Sequence, residues 1–225
     1  MDALNNGVAV DRVLVDREHD TAELRALCET LDVPLEEGST NDLWRMSADG
    51  TQIALALTGR PQHKTLEEVM SVGGCVWLFD GVEYSTNLGF TIRTAEVSGA
   101  DAVLLNVVKT HEERRTIRRA SMRADRFIPV IYTTTEELLV SAKENGFRIV
   151  AAEDIGTHGP WDEDLTGNVL LVVGAERHGV SQEVLDASDA VVKLPMAGFV
   201  PSYNLQVAVS VLAVEALHQR QSRRN

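Results

Sequence analysis

From Cys75 onward the chain alternates short, unbroken apolar runs with longer amphipathic stretches. The runs cover residues 75–79, 102–107, 128–132, 148–152, 169–173 and 190–194. Strands covered on both faces read this way, whereas a half-solvated sheet alternates apolar and polar positions. Helical spacing marks residues 88–98, 112–123, 135–145 and 181–186, and predicts a longer last helix over 203–218. Asn87, Ser181 and Ser202 stand where N-caps are wanted, which places Asn204 inside the first turn of the last helix. Strand–helix alternation of this kind predicts an α/β fold: a mostly parallel sheet with helices on both faces.

The front of the chain, residues 1–62, has a weaker pattern that predicts a small α/β unit. Val13, Leu14 and Val15 make a short strand. Residues 21–31 make a helix with Thr21 as N-cap and Leu24, Leu27, Cys28 and Leu31 on one face, and residues 53–57 make another strand. The polar stretch 59–64 reads as a linker, so the larger domain is expected to span 63–225.

At 225 residues and 44% hydrophobic content the chain can bury a substantial core. No apolar run approaches the ~20 residues of a membrane span, and no secretory signal pattern opens the chain. Two cysteines, Cys28 and Cys75, do not make a disulfide framework, and a reduced, cytoplasmic setting is expected. The net charge of −13 rules out nucleic-acid binding through the overall field. The acidity is concentrated at the front: residues 1–70 carry 14 acidic and 6 basic side chains, and the remainder 20 and 15. Against this background Arg114, Arg115, Arg118, Arg119, Arg123 and Arg126 form a local basic patch, most of it on one helical face: either a solvated face partly paired with Glu112 and Glu113 or, through Arg115, Arg119 and Arg123, a contact for a polyanion.

Three segments carry candidate chemistry, and all follow predicted strands, where ligands of open parallel sheets bind. The first contains Asn87, Gly89 and Arg93; the second contains Gly174, Glu176 and Gly179 directly after Val173; the third contains Leu194, Pro195, Met196, Gly198, Ser202, Tyr203 and Asn204. Each alone reads as an ordinary strand-to-helix turn. None is a phosphate-binding P-loop or a G-x-G-x-x-G dinucleotide fingerprint. The six histidines are scattered and no metal site is expected.

Together, in this order and spacing, the segments resemble the SpoU (TrmH-type) family of SPOUT RNA methyltransferases. Its first motif is Asn-x-Gly followed by Arg, its second Gly-x-Glu-x-x-Gly, and its third an apolar residue, Pro-Met-x-Gly, then Ser-Leu-Asn. Tyr203 departs from the last motif's leucine, and the sequence Ser121-Met122-Arg123-Ala124 lacks the glycine of a frequent Ser-x-Gly-Ala segment. The front unit resembles the small ribosomal-protein-like RNA-binding domain that often precedes this catalytic domain.

The resemblance implies a C-terminal trefoil knot and a homodimer with a site completed across its interface. S-adenosyl-L-methionine would be the methyl donor and a ribose 2′-hydroxyl of RNA the acceptor, rRNA before tRNA. A non-catalytic RNA-binding paralogue is the alternative. The residues implied for donor binding are Val173, Gly174, Leu194, Met196, Gly198 and Tyr203. Those implied for catalysis are Asn87, Arg93, Glu176, Ser202 and Asn204, with Arg93 either activating the hydroxyl or stabilising charge on it.

Overall fold

In the computed structural model, which describes residues 1–47, 53–58 and 65–223, the chain divides into two units, Met1–Gln62 and His63–Asn225. The polar stretch 59–64 lies outside the described residues.

The first unit contains α1 (Asp2–Asn5), β1 (Arg12–Asp16), α2 (Ala22–Thr30), β2 (Leu35–Gly38), α3 (Thr40–Met46) and β3 (Ala54–Leu57). β1 is central, parallel to β2 and antiparallel to β3. Its Val13 and Val15 pack with Leu24 and Cys28 of α2. β2 was not legible in the sequence because Glu36 and Glu37 interrupt its pattern. Thr21 is the N-cap of α2, although its hydroxyl makes no capping bond.

The second unit runs α4 (Leu66–Val72), β4 (Cys75–Asp80), α5 (Ser85–Val97), β5 (Ala102–Leu105), α6 (His111–Ala120), β6 (Val130–Tyr132), α7 (Thr135–Glu144), β7 (Arg148–Ala152), β8 (Val169–Gly174), α8 (Gln182–Ala187), β9 (Ala190–Val192) and α9 (Leu205–Ser222). Its six strands are all parallel, in the order β6-β5-β4-β8-β7-β9. β4 and β8 are buried along their whole length, as their unbroken apolar runs demand. Alternate side chains serve opposite layers. Cys75, Trp77 and Phe79 pack with Leu88 and Ile92 of α5 and Val209 and Leu212 of α9. Val76 and Leu78 pack with Met70 of α4, Leu138 of α7 and Val184 of α8.

The strand order has a switch point. From β4 the chain builds outward through β5 and β6, then crosses to β7, and β8 is laid between β7 and β4. The loops leaving β4 and β8 therefore diverge from adjacent carboxyl ends, which opens a crevice there. Gly89 brings α6 onto α5: a Cβ on it would lie 2.5 Å from the Cβ of Ala120 and 2.7 Å from the Ile117 carbonyl.

Several helix ends differ from the expectation. α5 begins at Ser85 with Tyr84 as N-cap, so Asn87 lies in the first turn with its side chain free for another partner. α9 begins at Leu205, and Asn204 itself is the N-cap, its side-chain oxygen accepting from Gln206 N at 2.9 Å. Ser202 does not cap it. α6 starts one residue early because Thr110 and Glu113 form a capping box, and it stops at Ala120. Arg123 and Arg126 therefore lie beyond the α6 face: Arg123 in a turn where it and Met122 adopt left-handed backbone, φ 65° and 52°, and Arg126 at the end of the short 3-10 helix Ala124–Arg126 that follows.

Candidate functional site

β8 delivers Gly174 into a tight loop closed by a pair of backbone bonds: Ala175 N donates to Gly179 O at 3.0 Å and Gly179 N to Ala175 O at 2.9 Å. Both glycines are sterically required. A Cβ on Gly174 would sit 1.9 Å from Gly179 C and 2.0 Å from Val180 N. Gly179 has φ +66°, a conformation that costs other residues about 1–2 kcal/mol, and its Cβ would meet Glu153 Oε1 at 2.3 Å.

Between them Glu176 turns toward α5. Its Oε1 accepts from Asn87 Nδ2 at 2.8 Å and its Oε2 from Glu83 N at 3.4 Å. This pair joins the first segment to the second. On the next residue, the Arg177 guanidinium donates to the Tyr84 hydroxyl at 3.2 Å, and that contact, with the Glu83 charge, pushes the Arg177 pKa up.

Underneath lies a polar frame that sequence reasoning missed. Asp80, buried at the end of β4, accepts from Asn106 Nδ2 at 2.5 Å and from Ser181 N at 2.6 Å. Asn106 also accepts from Gly81 N at 2.8 Å and donates to Thr135 at 2.9 Å. Glu153, after β7, accepts from Val180 N; burial, with the charges of Asp154 and Asp80, pushes its carboxyl up from 4.5 against that hydrogen bond. Lys109 is buried, and its ammonium donates to the Glu83 carbonyl. A charged residue closing an apolar strand was the only sequence signal for Asp80. Nothing local marked Asn106, Lys109 or Glu153.

The third segment closes the other side. After β9, residues 194–204 run over the surface and return at the Asn204 cap, tied across the loop by the Tyr203 hydroxyl donating to the Pro195 carbonyl at 2.9 Å. The two loops enclose a cleft of about 640 Å³. Val173, Gly174, Glu176, Leu194, Met196, Ser202, Tyr203 and Asn204 line it, as do Glu153, Asp154 and Arg177. A depression of about 760 Å³ near α4 and α7 contains none of the motif residues.

The structure thus brings together most of the residues singled out in the sequence, but not all. Asn87 reaches the cleft through Glu176 rather than lining it. Gly198 stands on the exposed loop, with nothing within 4 Å of an added Cβ. Arg93 is exposed two turns along α5 from Tyr84, outside the cleft lining, and pairs with no described residue. Arg115 and Arg119 are exposed on α6, Arg123 on the turn that follows, and Arg114 stacks over the Tyr132 ring at 4.2 Å. Among the described residues no group of three or more His, Cys, Asp or Glu could hold a metal ion, and no helix is long and apolar enough to cross a membrane.

Comparison with known proteins meets the same segments. The model of the SpoU rRNA Methylase family matches residues 75–214, which contain all three loops. The chain is 33% identical over 150 residues to the 23S rRNA (guanosine-2′-O-)-methyltransferase RlmB of Pseudomonas putida, a match covering 66% of this chain and 60% of that protein. It is 34% identical over 146 residues to a putative TrmH family tRNA/rRNA methyltransferase of Staphylococcus epidermidis, covering 64% and 59%. The matched region thus spans about 60% of these relatives' length. Among solved structures, the SpoU methyltransferase AviRb of Streptomyces viridochromogenes superimposes with TM-score 0.66 at 22% identity, covering 98% of this chain and 86% of that one. By its sequence match and its fold, the chain belongs to the SpoU rRNA Methylase family.

Proposed function

We propose that this protein transfers a methyl group from S-adenosyl-L-methionine to a ribose 2′-hydroxyl of RNA, with ribosomal RNA as the substrate before tRNA. The observation that carries this is the Asn87–Glu176 hydrogen bond, which joins the start of α5 to a glycine-flanked loop on the cleft that the third segment also lines.

The cleft fits the donor. Its volume suits a nucleoside-sized ligand, and its walls combine apolar Val173, Leu194 and Met196 with a few polar groups. Gly174 is required by the loop itself, where a Cβ would meet Gly179 C and Val180 N, and it leaves backbone without a side chain in the cleft lining. On this reading backbone groups at Gly174, Leu194 and Tyr203 hold the adenine and ribose, with Met196 and Gly198 in the enclosing loop. When bound, the donor supplies a methyl carbon activated by its sulfonium. A ribose hydroxyl is a weak nucleophile and needs orientation and stabilisation of developing negative charge. Arg93 serves that role. Arginine keeps its proton, so the guanidinium stabilises charge and holds an adjacent phosphate rather than acting as base. Asn87 and Glu176 fix the loop, and Ser202 and Asn204 orient its far side.

Arg93 lies outside its own chain's cleft, which supports a homodimer in which a second copy completes the site. Val207, Val211 and Val214 leave an exposed apolar stripe along α9 for that contact. The proposal includes a trefoil-knotted C-terminal region, a cytoplasmic setting and chemistry without metal. It also includes RNA contact through Arg115, Arg119 and Arg123, and through the front unit, 1–62. That unit is acidic, so its contact would rest on stacking and hydrogen bonds rather than on phosphate attraction; Trp44 is exposed there.

The test is incubation of the purified protein with unmodified 23S rRNA and methyl-labelled donor, followed by alkaline hydrolysis. Label in a hydrolysis-resistant dinucleotide supports the reading; label only in mononucleotides, or none, overturns it. Arg93→Ala is expected to lower transfer by a factor of about a hundred or more, the scale of one lost charge-stabilising donor, with donor affinity by calorimetry unchanged.

A further inference from the structure

Among the described residues that line the cleft, Arg177, with His178 next to it in the chain, is the one arginine or lysine. It is exposed, so it is not part of the buried frame, yet it is not free to wander: its guanidinium donates to the Tyr84 hydroxyl, which stands at the N-cap of α5. Its backbone lies in the tight loop fixed by the Ala175 and Gly179 bonds, and its neighbour Glu176 is tied to Asn87. Anchored at backbone and tip, this side chain loses less conformational freedom on binding an anion than a surface arginine would. Only one guanidinium nitrogen is bonded to Tyr84, so the remaining donors of the planar fork stay available for phosphate oxygens. Of the nearby acidic groups, the Glu176 carboxylate is engaged by Asn87 and by Glu83 N, and the Glu83 charge acts on Arg177 alongside its Tyr84 contact.

We infer that Arg177, oriented by Tyr84, is an RNA phosphate anchor at the mouth of the cleft, binding the backbone beside the nucleotide to be modified. This rests on the reading of the cleft as an RNA methyltransferase site, and it adds a positively charged contact on the loop after β8 to those of the α6 arginines. Tyr84 acts through Arg177 and is a positioning residue.

The experiment is a salt-titrated binding measurement with labelled, unmodified 23S rRNA, paired with calorimetry for S-adenosylmethionine. Arg177→Ala is expected to weaken RNA binding roughly tenfold and to reduce the slope of log affinity against log salt by about one, the signature of one lost phosphate contact. Donor affinity should stay at the wild-type value. Tyr84→Phe keeps the ring and the charge but removes the hydroxyl, so it should weaken RNA binding by a smaller factor with the salt slope retained. Wild-type RNA affinity and slope in Arg177→Ala would overturn the anchor. So would a loss confined to donor affinity, since the guanidinium would then be serving the donor's carboxylate. The two readings fail separately: a wild-type protein that binds RNA with this arginine dependence but takes up no donor would sink the methyltransferase and leave the anchor.

Discussion

The two loops that form the cleft are held in opposite ways. The loop after β8 is over-determined: the Ala175 and Gly179 backbone pair, Glu176 on Asn87, Val180 on Glu153 and Ser181 on Asp80 fix almost every residue in it. The loop after β9 stands in solvent. Phe199 and Val200 are exposed, and its ties are the Tyr203 contact to Pro195 and the Asn204 cap. A ligand held between them meets one preformed wall and one wall with few constraints, so ligand-dependent ordering belongs to the second. The tied polar groups of the first loop, the Glu176 carboxylate and Ser181 N, therefore serve geometry, and changes that remove their partners cost structure; the exposed Arg177 stands apart from them.

Glycine separates the two loops most sharply. Gly174→Ala is expected to destabilise by on the order of 1–3 kcal/mol, the usual cost of forcing atoms into a filled space, and to abolish donor binding; urea unfolding and calorimetry measure the two effects. Asp80→Ala strands Ser181 N and one bond of Asn106, and should cost about 2 kcal/mol by the same unfolding measurement, with the first loop's amides losing hydrogen-exchange protection. In the second loop, Asn204→Ala removes the cap of α9 and is expected to cost about 1 kcal/mol. The smallest effect belongs to Gly198→Ala, within about 0.5 kcal/mol of wild type, because an added Cβ there meets nothing. If Gly198→Ala proved as costly as Gly174→Ala, the contrast between the loops would be lost. If it impaired only donor binding, its backbone would belong to the ligand contact.

Arg123 marks where the chain departs from a frequent family pattern and still keeps the backbone shape glycine favours. Met122 and Arg123 both hold left-handed φ values after α6 ends at Ala120. The missing glycine could be read from the sequence. That the turn keeps this conformation could not, because strain at one residue is tolerated only when its surroundings impose it.

The strands of the parallel sheet were legible to within a few residues, since burial on both faces leaves an unbroken apolar signature that needs no partner to be recognised. The three motif segments were legible for a different reason: their spacing along the chain survives whatever the fold does. Helix starts were less so. Asn87 and Asn204 both look like caps or first-turn residues by type, and which they are depends on where the backbone turns. In the structure Asn87 gave up the cap role for Glu176, 89 positions away, and Asn204 took it.

What the sequence by itself determined is the set of elements and the chemistry they carry, because apolar period and residue identity are local properties. Only the tertiary structure decided that β8 lies beside β4, so that Gly174 and Asp80 meet in register, that Asn106, Glu153 and Lys109 support the cleft, and that Arg93 stays outside it. Strand order and side-chain direction arise from contacts between residues tens of positions apart, and no local pattern records them.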